Sequence, residues 1–257
     1  VIMGEQIIDN FSPDYVIPFK VPKNQVMDAF QKFSKKPLTP KDFSCDRVVD
    51  KMQGVYIPFW LYSGNCEGSI TAEGINTRTW TSGNYRYTEK KYYSVYRNGT
   101  LDFKAVPVDA SSKTDDDAMD SIEPFDYSEM TAFNPGYLSG YLAERYDEDK
   151  DKCLPRAKER IENTTRDELR NTCNYNSVNV QSYEKHTEIK DVKYAMLPTW
   201  LLYTTYQDKP YFFAMNGQTG KFIGNLPISK GKLVAYSLLG GVGGYIIGAI
   251  LQIMGIF

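Results

Sequence analysis

The stretch Met215-Asn216-Gly217-Gln218-Thr219-Gly220-Lys221 holds the residue types of a phosphate-cradling loop, including a Gly-Lys pair. Such a loop needs glycine, four residues, Gly-Lys and then Ser or Thr, because the hydroxyl holds magnesium while backbone amides wrap the phosphates. Aligned on Gly220-Lys221, Met215 takes the first glycine position and Phe222 the hydroxyl position. The next residues, "FIGNLP", read as a short strand where the motif requires a helix N-terminus. Asn216-Gly217 between two apolar runs has the chemistry of a hairpin turn, since both residues tolerate positive φ. The acidic run offers Asp109, Asp115, Asp116, Asp117 and Asp120. A calcium loop would need a central glycine and a closing glutamate at the twelfth position, and the run has neither. It reads as a short helix capped by Ser112 or Thr114, with acids in its first turn. Asp167-Glu168 follows "NTTR", not the apolar strand of a helicase acidic box. Cys45, Cys66, Cys153 and Cys173 are far apart with no C-x-x-C pair, so zinc-ribbon spacing is absent and reduced thiols are expected. One histidine leaves little room for imidazole catalysis. No catalytic, cofactor or metal set is read in this chain, and it is expected not to be an enzyme.

The elements that position these residues read as α+β. Residues 1–50 hold a short strand at Tyr15-Val16-Ile17 and an amphipathic helix from Asn24, with Val26, Met27, Phe30 and Phe33 at helical spacing. Residues 51–136 and 191–229 share an apolar-Pro-x-Trp-Leu core, Ile57-Pro58-Phe59-Trp60-Leu61 against Leu197-Pro198-Thr199-Trp200-Leu201. Each core leads into tyrosine-rich strands and an Asn-Gly turn, Asn98-Gly99 in the first and Asn216-Gly217 in the second. The reading is a duplicated antiparallel β unit. Residues 137–190 read as a helical insertion, with an apolar stripe of Tyr137, Leu138, Tyr141, Leu142 and Tyr146, supporting pairs Glu148–Lys152 and Glu162–Arg166, and a break at Pro155.

From Leu233 to Phe257 the chain carries 25 residues without a charge. As a helix that is about 37 Å, longer than the roughly 30 Å of a bilayer core, so 230–257 reads as one transmembrane helix. Gly240, Gly244 and Gly248 would share a face, the small-xxx-small pattern for helix packing and homo-oligomerisation in a bilayer. Lys230 and Lys232 just ahead place the body on the cytoplasmic side of a cell membrane. The chain opens "VIMGEQIIDN", without an initiating Met or a signal peptide, which points to residues upstream.

The formal net charge is −2, which disfavours the basic footprint of a nucleic-acid binder. The 20 tyrosines and 13 phenylalanines suit pleated, half-buried surfaces. An exposed base-stacking platform on the tyrosine-rich strands is the weaker reading.

Taken together, "YVIPFKV", "GVYIPFWLY", "VPVDASSKTDDDAMDSIEPFDY", "YLSGYLAERYD", "LPTWLLY" and "NGQTGKFIGNLP" resemble a bacterial family of membrane-anchored TFIIB-type zinc-ribbon proteins, often labelled replication-restart helicase-like. Glu123-Pro124-Phe125-Asp126 and Gly217-Gln218-Thr219-Gly220 are the most specific pieces. The family carries zinc-ribbon cysteine pairs ahead of the "VIPF" segment; they are absent from this chain, so zinc would belong to an upstream region. The resemblance implies an adaptor or scaffold that docks an SPFH (flotillin-like) scaffold or a zinc-ribbon membrane protein at the cytoplasmic face, in membrane organisation or envelope stress. The alternative it implies is a nucleic-acid-binding accessory of replication restart.

Overall fold

The computed structural model describes residues 12–41, 43 and 51–240. The apolar-Pro-x-Trp-Leu cores both lie in strands, and these strands are neighbours. Strand β2 (Gln53–Ser82) pairs antiparallel with β6 (Ser177–Tyr206), with Ile57 opposite Leu197 and Gly54 opposite Trp200. On its other side β2 pairs with β3 (Tyr85–Asp109), and β6 pairs with β7 (Lys209–Asn216). The two hairpins correspond closely. Trp60 faces Val108 and Phe59 faces Asp109, as Trp200 faces Met215 and Thr199 faces Asn216. Each indole NH donates to a backbone carbonyl, Trp60 to Glu148 and Trp200 to Val21.

Short pieces complete the sheet. β1 (Tyr15–Val16) runs parallel to β6 and antiparallel to β4 (Thr131–Ala132), β5 (Leu142–Ala143) runs parallel to β2, and β8 (Phe222–Gly224) pairs with β7. Helix α1 (Lys23–Ser34) packs Val26 and Phe30 with Phe213 and Met215. Helix α2 (Asp116–Ile122) puts Met119 and Ile122 among Ile57, Phe59 and Leu197.

The expected architecture needs correction. Among the described residues the fold is dominated by one eight-stranded sheet, and the two β units are adjacent hairpins within it, not separate units around a helical insertion. Within 137–190 the helical parts are a 3₁₀ turn at Pro135–Leu138 and helix α3 (Lys150–Asn171), and from Ser177 the chain is strand. The buried stripe of α3 is Cys153, Ala157, Ile161, Thr165 and Leu169, every fourth residue, and the helix runs through Pro155. Asn98-Gly99 lies inside β3. The hairpins turn at Gly83, with φ +59°, and at Gln207-Asp208, with φ +50° and +61°. Gly83 is the glycine that a type II′ turn places first, and paired positive φ is the type I′ geometry. Asp115, not Ser112 or Thr114, caps α2 by accepting from the Ala118 amide.

The transmembrane helix is not found. Helix runs from 230 to 240 as far as the described residues extend, and no helix among them is long and apolar enough to cross a membrane. The single-pass span, the bilayer as partner, and the cell-membrane placement with a cytoplasmic body drawn from Lys230 and Lys232 lose their support. Lys232 donates to the Thr39 carbonyl instead. At Gly240 a Cβ would meet nothing, while Gly244 and Gly248 lie outside the described residues.

β2 and β6 are each 30 residues long, about 100 Å at roughly 3.3 Å per residue. About a third of β2 and about half of β6 lie in the body. The rest of β2 and β3 forms an arm, three-stranded with β6 as far as Ile75, with α3 laid along one face, where Ile70, Ala72, Val95, Leu169 and Cys173 make a separate small core. Glycine permits the close approach. A Cβ at Gly68 would fall 2.9 Å from Thr165 Cγ2 and 3.1 Å from Leu169 Cδ1, whereas at Gly99 the nearest atom is 3.5 Å away. Gly68→Val is therefore expected to cost about 1–3 kcal/mol by overpacking, and Gly99→Ala to change stability by less than about 0.5 kcal/mol. Urea unfolding of both variants checks this.

Candidate functional site

The loop that looked like a phosphate cradle is a structural knot. Asn216 ends β7 fully buried, and its Oδ1 accepts from the amides of Gln218 and Thr219, both at 2.9 Å. Its Nδ2 donates to the carbonyls of Ile122 at 3.1 Å and Pro124 at 3.2 Å. Gly217 donates to Pro198 and its carbonyl accepts from Lys20 and Val21. A Cβ there would lie 2.6 Å from the Phe19 ring. Gln218 accepts from the Asp126 amide, donates back to the Asp126 carbonyl, and reaches Glu129, which also pairs with Lys20. Lys221 donates to the Glu123 carbonyl. The segments Glu123-Pro124-Phe125-Asp126 and Gly217-Gln218-Thr219-Gly220 are thus each other's binding partners. The loop amides are occupied by protein.

The acidic run is spent on arginines of α3. Arg156 Nη1 lies 2.7 Å from Asp109 Oδ1 and 2.6 Å from Asp116 Oδ1, and its Nη2 lies 2.9 Å from Asp120. Arg160 meets Asp120 at 3.0 Å and Glu123 at 2.8 Å. Asp109 also accepts from Thr114 Oγ1. Burial is the largest influence on Asp109, pushing its carboxyl up to about 6, with the Arg156 hydrogen bond opposing and Asp116 adding to the rise. Burial raises Glu123 likewise, against Arg160.

Cys66, Cys153 and Cys173 are free and buried, and burial with Glu148 and Asp109 nearby pushes the Cys153 thiol up to about 12. A thiol held that high is a poor nucleophile. Cys45 lies outside the described residues. No group of three or more His, Cys, Asp or Glu among the described residues could hold a metal, so the zinc-ribbon reading gains no site here. A cavity of about 530 Å³ beside Pro22, Gly54, Tyr141 and Trp200 contains no carboxylate, histidine or cysteine.

What remains is the arm, whose two surfaces differ. On the face away from α3, between Asn65 and Ile75 of β2 and the residues paired with them, stand Glu67, Glu73, Asp102, Glu184 and Glu188 with no Lys or Arg. His186, opposite Glu67, is the one other ionisable group there besides Tyr92 and Tyr96. The third strand stops at Ser177, opposite Ile75, where Asn176 Oδ1 accepts from the Thr77 amide and Asn76 Oδ1 accepts from the Asn176 amide. Beyond it, among the described residues, β2 and β3 continue alone. Trp80 stacks on Tyr87 opposite, at 5.6 Å and 15°, and Arg78 lies 5.7 Å over the indole. Tyr85 is 72% exposed, Tyr92 59% and Tyr96 61%. Between Asn76 and Arg97 five cations, Arg78, Arg86, Lys90, Lys91 and Arg97, stand against Glu89 alone.

The sequence shows these tyrosines but not their exposure, because an alternating pattern does not reveal which strand residues lack a covering layer. The fold and surface define a protein with a sheet body and a projecting, charge-divided arm. Uncharacterized protein YdjG of Bacillus subtilis (strain 168) is 38% identical over 237 residues, covering 91% of this chain and 70% of that protein, and the chain belongs to its family. No family model matches the chain, and no solved structure matches it.

Two outcomes are expected from the buried polar groups. Asn216→Ala leaves two carbonyls and two amides unpaired and is expected to cost about 3–5 kcal/mol, at about 1–3 per orphaned group with partial relaxation; chemical denaturation measures it. For Asp109 the folded carboxyl holds its proton to higher pH than the unfolded one. The folded state binds more protons between about pH 4 and 6, so this group's contribution is fully present below that window and is lost as pH rises through it. The Asp109→Asn variant should lack that loss, so stability against pH over this window should fall less steeply than in the parent.

Proposed function

We propose that the chain is a non-catalytic adaptor or scaffold protein whose arm docks a partner away from the body. The observation that carries this reading is the braced arm itself. A β2–β3 hairpin extended by about 20 residues per strand beyond the body, roughly 65 Å, joined by β6 as far as Ile75 and with its own small core under α3, serves no packing need of the body. The carboxyls in the body with raised pKa values are engaged in structural pairs, Asp109 with Arg156 and Glu123 with Arg160.

Among the described residues both edges of the arm are open: β3 pairs only with β2, and β6 has no outer partner strand from Ser177 to Lys193. Edge charges such as Arg86, Lys90, Lys185 and Lys190 discourage edge-to-edge pairing between copies. The acidic open face is then the docking surface for a protein of complementary charge. The resemblance to the zinc-ribbon family makes an SPFH (flotillin-like) scaffold, or a zinc-ribbon protein, the first partner to test. No cofactor is needed for this role.

The reading predicts a complex between the full chain and an SPFH-type scaffold protein of the same genome at about 10 µM, a weak-to-moderate affinity, seen by analytical ultracentrifugation. The double variant Glu67→Lys/Glu184→Lys, both exposed, should fold as the parent by circular dichroism and lose the complex. Separate sedimentation of the parent chain and the scaffold would contradict the reading, as would a complex indifferent to the double variant.

A further inference from the structure

We propose that the end of the arm, residues 76–97, binds single-stranded nucleic acid. The inference goes beyond the adaptor reading and does not rest on it, since its cations Arg78, Arg86, Lys90 and Lys91 lie past the acidic face, at the end of which Tyr92 and Tyr96 stand.

Charge sets this segment apart. The whole chain is −2, yet this segment carries five cations and one anion, leaving the remainder at −6. Glu89 is within 3.7 Å of Lys91, and Arg97 donates to the Tyr96 carbonyl. No ion pair among the described residues involves Arg78, Arg86 or Lys90. Uncompensated cations concentrated at the end of a projecting element attract a polyanion, and the acidic shaft behind them confines it to that end.

The aromatic residues select among polyanions. Trp80, Tyr85, Tyr87 and Tyr93 stand on one face of the hairpin and Tyr92 and Tyr96 on the other, interleaved with the cations. A two-stranded hairpin needs some cross-strand pairing to hold together, and Trp80–Tyr87 and Thr79–Thr88 supply it. Tyr85, Tyr92 and Tyr96 are not required for that and remain the most exposed rings of the arm. Along β3, Tyr85 and Tyr87 on one face are about 7 Å apart and Tyr92 and Tyr96 on the other about 13 Å. A row of exposed rings with interspersed cations offers stacking for unpaired bases and contacts for their phosphates. Paired bases in a duplex offer no free faces to such rings. The turn residues Ser82, Gly83 and Asn84 are polar, where a hairpin that inserts into lipid would carry an apolar tip. An acidic protein segment would satisfy the cations but not the rings.

The test is fluorescence anisotropy of the full chain with a labelled thymidine oligomer of about 20 nucleotides, long enough to exceed one stacking platform. A duplex of equal length and phosphatidylserine vesicles are measured in parallel. Expected is binding to the single strand at about 50 mM salt that weakens with a log–log salt slope of about −2 to −3, given roughly 0.7 per contacted phosphate. Binding to duplex and vesicles should be at least tenfold weaker. Arg86→Ala/Lys90→Ala should weaken binding at least tenfold and reduce the slope by about 1.4. Tyr85→Ala, at an exposed ring outside the stacked pair, should weaken it about fivefold or more with the slope unchanged. Absence of binding at low salt overturns the proposal, as do equal or tighter binding to vesicles or duplex, or arm variants that fold and bind as the parent. A chain that binds the oligomer but no protein scaffold keeps this inference and loses the adaptor reading; the reverse result does the opposite.

Discussion

The close seating of α3 on the sheet is the contact on which the rest depends. A 30-residue strand cannot stay flat and fixed in water on backbone hydrogen bonds alone, because a sheet needs a buried apolar face. The helix provides that face through a strict fourth-residue stripe from Cys153 to Leu169. Gly68 lets it approach to van der Waals distance of Thr165 and Leu169, and Gly74 admits the Tyr175 ring. At the other end, Arg156 and Arg160 bind α3 to the end of β3, to α2 and to Glu123. The helix is thereby clamped to the body and laid along the arm, so the arm projects in a set direction.

The same clamp links the two hairpins. Asp109 and Asn216 occupy matching positions, each one residue past the partner of a buried tryptophan, and each buried side chain ties its hairpin to α2 or the segment after it. Asp109 does so through Arg156, while Asn216 binds the Ile122 and Pro124 carbonyls directly. Two related hairpins have acquired different work. The short one, β6–β7, closes the body, and the long one, β2–β3, leaves it as an arm. Burial pushes the Asp109 carboxyl up to about 6, and the pairing with Arg156 opposes that rise.

Much of the strand content was legible because Val, Ile, Tyr, Trp and Thr runs with period two are strong signals, and the matching Pro-x-Trp-Leu cores do sit side by side. The turn chemistry was misassigned where tertiary context overrode it. Asn98-Gly99 was absorbed into a long strand, while Gly83-Asn84, flanked by fewer apolar residues, made the turn. The stripe of α3 was missed because Cys, Ala and Thr at 153, 157 and 165 are weakly hydrophobic, and the brighter Tyr137 to Tyr146 pattern drew the helix too early. The uncharged C-terminal run has the composition of a span, but no helix among the described residues, which stop at 240, is long and apolar enough to cross a membrane. The candidate surface was invisible in bulk charge, because an acidic body masks a basic arm end when both are summed.

Hydrogen exchange followed by mass spectrometry tests the braced arm most directly, since it reports opening of each segment in the intact chain. The account predicts that amides of 64–75 in β2, paired on both sides beneath α3, exchange as slowly as those of 55–61 in the body, while 77–90 at the arm's end exchange much faster. Exchange of 64–75 at the rate of 77–90 would contradict it.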